Sequence, residues 1–127
     1  MFNLFIQLYF LFIHWIADFV LQTDAQAKGK STSNKMLLKH TITYGLCILV
    51  ASYYLQAWNM FGAQMWYASL LFTLIQFVSH TIIDYFTSRV NKKLWENGDR
   101  HTFFIMIGLD QLMHTLILLI SHDLIYN

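Results

Sequence analysis

Four apolar runs, Phe2 to Leu21, Met36 to Leu55, Ala63 to Ser88 and Thr102 to Ile120, take up most of this chain. Each is close to the ~20 residues that a helix needs to cross a hydrocarbon core of about 30 Å. In such a core the backbone has no water to bond, so a single run must close its hydrogen bonds internally, and helices are expected. No proline interrupts them, because the chain contains none. With 57% hydrophobic, 17% aromatic and only 12% charged residues, the composition is wrong for a soluble domain of 127 residues. The expected fold is an all-α membrane protein, a single domain over residues 1–127 with four transmembrane helices in an antiparallel bundle. The third run is longest, and its excess either leaves the bilayer or tilts within it. Nothing basic precedes the first run, and His14 and Asp18 lie in its second half, so it reads as a retained span and not a cleaved signal.

Charge placement orients the spans. The eight Lys and Arg residues fall into two clusters, Lys28, Lys30, Lys35 and Lys39 around the first loop and Arg89, Lys92, Lys93 and Arg100 around the third. Four spans put those loops on one side, which the positive-inside rule makes cytoplasmic, leaving the N and C termini outside. Tyr53, Tyr54, Trp58, Trp66 and Tyr67 suit the opposite interface. A formal net charge of +1 conceals this asymmetry. The clusters serve topology first and contact with anionic headgroups second. The expected partners are the bilayer and a lipid or phosphoester substrate, with a homo-oligomer also open. Nucleic acid is not among them.

Against this background the ionisable residues stand out. His14 with Asp18, His80 with Asp84, and Asp110 with His114 are each four residues apart inside an apolar run. Side chains at i and i+4 lie nearly above one another, so each pair offers two ligand atoms to one place. An ionisable group at the centre of a membrane helix costs on the order of 2.5–3.5 kcal/mol on insertion scales, and a bound cation compensates several at once. Depth agrees with this reading. At about 1.5 Å per residue, Asp18 and His14 lie roughly 5 and 10 Å from the basic end of the first span. Asp84 and His80 lie roughly 6 and 12 Å from that end of the third, Asp110 and His114 about 12 and 18 Å along the fourth, and His40 enters the second from the same side.

His14, Asp18, His40, His80, Asp84, Asp110 and His114 are therefore the candidate metal ligands. Seven donors exceed one ion's needs, and a dinuclear site with a bridging aspartate would use nearly all of them. Imidazole and carboxylate donors without thiolate suit Zn, Mn, Fe, Co or Ni and do not choose among them. Asp18, Asp84 and Asp110 are the candidate catalytic carboxylates, since one that ligates weakly is free to act as general base. Lys39 and Arg89, near the mouth, are candidate phosphate-binding residues. Gln76 and Gln111 are candidate donors behind the ligands, with packing as the alternative for both. His101, His122 and Asp123 read as interfacial, Gly108 as a close-packing position and Cys47 as a small buried hydrophobe.

The segments HWIADFVLQTD from His14, SNKMLLKH ending at His40, HTIIDYFTSR from His80 and LDQLMH ending at His114 resemble, in order and over nearly the whole chain, a family of short bacterial and phage integral membrane proteins catalogued as domain of unknown function 3307. That resemblance implies a bacterial inner-membrane location and no particular activity. The HxxxD pairs are also similar to those of membrane-bound metal-dependent hydrolases, which implies hydrolysis. Three functions follow as expectations: a metal-dependent hydrolase working from the cytoplasmic leaflet, a transporter or channel for a divalent ion or proton, and a small membrane effector with a structural metal. Against the transporter, the outer halves of the spans offer only Asn3, Gln7, Ser52, Gln64, Ser69 and Thr73, with no ionisable relay.

Overall fold

The computed structural model describes residues 4–58 and 66–126, and every regular element among them is helical. Phe2 and Ala63, the expected starts of two spans, lie outside the described residues, as do Asn3 and Gln64. Helix α1, Leu4–Trp15, runs on through a wide π-helical turn, Ile16–Val20, closed by Leu21 N donating to Ile16 O at 2.9 Å. A short helix that the hydropathy pattern does not reveal, α2, Asp24–Gly29, follows. Its start is a reciprocal cap, with Gln26 N donating to Thr23 Oγ1 and Thr23 N to Gln26 Oε1. Helices α3, Asn34–Ala57, α4, Trp66–Glu96, and α5, Arg100–Tyr126, complete the chain.

Two of these outrun their expected ends. Helix α4 continues past Ser88 to Glu96, because nothing from Arg89 onward breaks a helix until Gly98, whose φ of 76° suits glycine. Helix α5 continues past Ile120 to Tyr126. Asp99 starts it by accepting a hydrogen bond from Thr102 N at 3.1 Å. Helix α3 packs on α4 and α4 on α5, while α1 packs on both α3 and α5, so the four long elements enclose a shared interior.

That interior is polar where a soluble protein's would be apolar. Going along α1, Gln7, Phe10, His14 and Asp18 point inward, while Leu4, Phe5, Leu8, Phe12 and Trp15 are exposed. The same inversion holds on α4, where His80 and Asp84 are buried and Leu74, Ile82 and Phe86 face out. An outer surface of large apolar side chains around a polar core suits lipid as the surrounding solvent. Helices α3, α4 and α5 are long and apolar enough to cross a membrane, and the Leu4–Val20 run is apolar but shorter. This is consistent with an integral membrane protein.

One apolar layer crosses the polar interior. Phe10, Ile48, Phe72 and Leu118 retain no exposure and fill the space one or two turns beyond His14, Tyr44, His80 and His114. Beyond that layer polarity returns, with Gln76 Nε2 donating to Ser121 Oγ at 2.7 Å and His122 buried against Phe10, Phe72 and Tyr126. His122 is thus an interior residue and not an interfacial one, because α5 extends a further turn and carries it inward. Gly108 does not serve close packing either, since a Cβ there would meet nothing within 4 Å. Gly45 has that role instead, its missing Cβ lying 3.4 Å from the Phe77 ring across the α3–α4 contact.

Candidate metal centre

Six of the seven candidate ligands, all but His14, converge into two groups that share one side chain. In the first, Asp18 comes from the π-turn, His40 from α3, and His80 and Asp84 from successive turns of α4, all but fully buried. In the second, the same Asp84 meets Asp110 and His114 of α5. The paired spacing explains how α4 and α5 each deliver two residues, and the approach of α1 and α3 brings Asp18 and His40 to them.

Five of the six donor–donor distances in the first group are close to a tetrahedron's edge, and all lie within 4.8 Å. His40 Nε2 lies 3.1 Å from Asp18 Oδ1, 3.1 Å from His80 Nε2 and 3.2 Å from Asp84 Oδ2. His80 Nε2 lies 3.3 Å from Asp18 Oδ1 and 3.6 Å from Asp84 Oδ2. Four ligands at about 2.0–2.1 Å from a central ion would stand about 3.3–3.4 Å apart, so these donors need little adjustment to hold one. Two imidazole nitrogens facing each other at 3.1 Å cannot both carry protons, which also suits a shared cation. In the second group His114 Nε2 lies 3.3 Å from Asp84 Oδ1 and 3.6 Å from Asp110 Oδ1. The two oxygens of Asp84 thus face different groups, the geometry of a bridging carboxylate.

The surroundings of these donors are specific. His80 is sandwiched between Tyr44, with ring centroids 3.9 Å apart, and His114, at 4.1 Å. Its Nδ1 has no hydrogen-bond partner among the described residues, so the ring is oriented by its faces and not by the usual outer hydrogen bond. Gln111 Nε2 donates to Asp18 Oδ2 at 3.1 Å and to Asp110 Oδ2 at 3.0 Å, tying the groups together. Thr87 Oγ1 donates to Asp110 Oδ1 at 2.5 Å.

Residues 6–127 match the family described as "Protein of unknown function (DUF3307)". The chain belongs to that family. No curated protein and no solved structure matches it.

In this DUF3307 protein His14 stands apart from both groups. Its Nδ1 is 2.9 Å from Tyr44 OH and its Nε2 3.3 Å from Gln111 Oε1, while Asp18 Oδ2 is 3.9 Å away. Gln111 joins the site, whereas Gln76 turns to Ser121. Neither Lys39 nor Arg89 comes near it. Lys39 is exposed on α3, and Arg89 donates to Asn34 Oδ1 at 2.7 Å and lies over the Tyr85 ring.

The cation at the site is Lys30, grouped by sequence with the topology determinants. The segment after α2 carries its ammonium inward to donate to Asp84 Oδ2 at 2.8 Å. Burial works to lower the Lys30 pKa, but Asp84 and Asp18 outweigh it and the value is raised, so the residue stays charged. The caps at Thr23 and Ser33 bracket Lys28 as well as Lys30, so the sequence marks the short link but not which lysine turns inward.

Both groups border an opening. A cleft of about 660 Å³ is lined by Asp18, Asp110, Gln111 and Thr87, with Lys28, Lys30 and Lys92 also among its polar lining and Phe19, Trp95, Phe103 and Ile107 among its apolar lining. Each group lines the cleft through one aspartate, Asp18 of the four-donor group and Asp110 of the three-donor group.

Proposed function

We propose that this DUF3307 protein is a metal-dependent hydrolase of a bacterial inner membrane, acting on a lipid-borne or phosphoester substrate from the cytoplasmic leaflet. In this reading Leu4–Val20 is a fourth span, both termini lie outside, and the cleft opens on the basic, cytoplasmic side. The observation that carries it is the shared Asp84, which joins a four-donor group to a three-donor group, each lining one cleft through an aspartate, Asp18 and Asp110. Structural sites are typically filled by four protein ligands, while catalytic ones, like a group of three donors, keep a position for water or substrate. Asp18, His40, His80 and Asp84 would hold one divalent ion, and Asp84, Asp110 and His114 the other, with Zn, Mn, Fe, Co and Ni all suited to the donors. Bound metal lowers the pKa of water from 15.7 toward about 7 and so supplies a nucleophile at neutral pH. Asp110, partly open to the cleft and held by Thr87 and Gln111, is placed to take a proton there. Gln111 orients Asp18 and Asp110, and His14 bonds Gln111 from behind.

The test is elemental mass spectrometry of protein purified without chelator, beside a His80→Ala, Asp84→Ala variant, followed by a screen of lipid phosphates and esters. One or two bound equivalents, lost in the variant, with metal-dependent turnover by the parent, is the expected result. Folded protein that takes up no ion, or that binds ions and turns over nothing, defeats the hydrolase.

A transporter of a divalent ion or proton is the second reading, favoured by the buried His122 and the Gln76–Ser121 pair beyond the apolar layer. Ion flux into liposomes that Asp84→Asn abolishes would put it first.

A further inference from the structure

The cleft has both a polar and an apolar lining, and of its three lysines Lys30 is the one that bonds an aspartate of the site among the described residues. Lys30 has three N–H donors, of which Asp84 takes one; among the described residues no other hydrogen-bond acceptor engages them. Two donors therefore remain for a ligand in the cleft, beside the Asp84 oxygen that faces the four-donor group. On the apolar wall, Phe19 from the π-turn lines the cleft and is also half exposed on the outer surface, and Phe103 and Ile107 of α5 line the cleft with it. The wall thus runs from the site toward the surface that faces lipid.

Charge narrows the ligand further. With the imidazoles neutral, Asp18, Asp84 and Asp110 against Lys30 leave the cluster two negative charges in excess. One divalent ion cancels that excess. Filling both groups leaves two positive charges in a buried site, where uncompensated charge is costly. A phosphate monoester, at about −1.5 to −2 near neutral pH, matches that deficit. A phosphodiester, with a single negative charge, does not.

We propose that the cleft is the binding site for the phosphate monoester head of a lipid, with Lys30 as its cationic partner and the tail along Phe19, Phe103 and Ile107. This rests on the two-ion reading above and names its substrate class. Lys92 contributes less, since Glu96 lies 3.7 Å from its ammonium on the same helix. A soluble phosphate shares the headgroup chemistry but has no use for the apolar wall.

Native mass spectrometry of the zinc-loaded full chain, released from nanodiscs holding equal phosphatidic acid and phosphatidylcholine, tests this. Parent protein is expected to retain phosphatidic acid at least about tenfold over phosphatidylcholine, with two zinc ions bound. Lys30→Gln is expected to lose about tenfold or more of that preference, and Lys30→Arg to keep most of it, in line with loss and retention of a charged hydrogen bond. No preference in the parent, or an unchanged one in Lys30→Gln, with both ions present, overturns the lipid site and leaves the metal centre standing. Failure to bind zinc overturns both. Inorganic phosphate that displaces phosphatidic acid at equal concentration overturns the lipid in favour of a soluble phosphate.

Discussion

Replacing the three aspartates one at a time by asparagine should remove different numbers of metal ions, because only Asp84 belongs to both donor groups. Asp18→Asn disables the four-donor group alone, Asp110→Asn the three-donor group alone, and Asp84→Asn both. Structural sites with four ligands bind zinc with about 10–16 kcal/mol, so one anionic ligand carries on the order of 3–4 kcal/mol, or about a hundred- to a thousandfold in Kd. A micromolar titration with elemental readout resolves losses of that size. From two ions in the parent, the expected contents are one, one and none for the three variants. Asp84→Asn also leaves the Lys30 ammonium without its carboxylate. Breaking a buried pair costs about 3–5 kcal/mol, and since Lys30 is 18% exposed the lower end applies. Chelated Asp84→Asn should therefore melt well below the parent, and the Asp84→Asn, Lys30→Gln double variant should recover part of the difference. Equal metal loss in all three single variants would refute the shared bridge, and an unchanged melting point in Asp84→Asn would refute the buried pair.

Three further outcomes follow from particular contacts. Gln111→Leu removes the amide that joins Asp18 to Asp110 and should weaken metal binding by about 10–100-fold in the same titration, without abolishing it. Gly108→Ala meets open space and gains helix propensity, so unfolding in detergent should shift toward greater stability, by up to about 1 kcal/mol. Thr23→Ala deletes the α2 cap, worth about 1 kcal/mol, and hydrogen exchange should quicken over residues 24–30 while α3 stays protected.

The long helices were legible because they depend on a quantity a sequence states directly, run length, whereas depth counted from their ends inherits any error in those ends. Counting from Ser88 set Asp84 about 12 Å nearer the basic end than His114; the two meet at 3.3 Å because α4 runs on to Glu96. Azimuth was less accessible. A helix places a residue at a known height, but its direction depends on which neighbour comes closest. So His14, at the right height, is taken by Tyr44 and Gln111, and Gln76 by Ser121. The π-turn around Asp18 has no marker in hydropathy, and the short α2 is too polar to register beside four apolar runs. Lys30 was obscured for a different reason. A basic residue at a bundle end serves the positive-inside rule so well that nothing in its position distinguishes it from Lys28 or Lys35, and only its bond to Asp84 in the fold does.

The layer of Phe10, Ile48, Phe72 and Leu118 makes the cleft a cul-de-sac. Among the described residues, what enters from the basic side meets side chains with no exposure about one turn past the histidines. Whatever enters such a chamber must leave by the same doorway. A cell could keep a chamber like this in an energised membrane without short-circuiting its ion gradients.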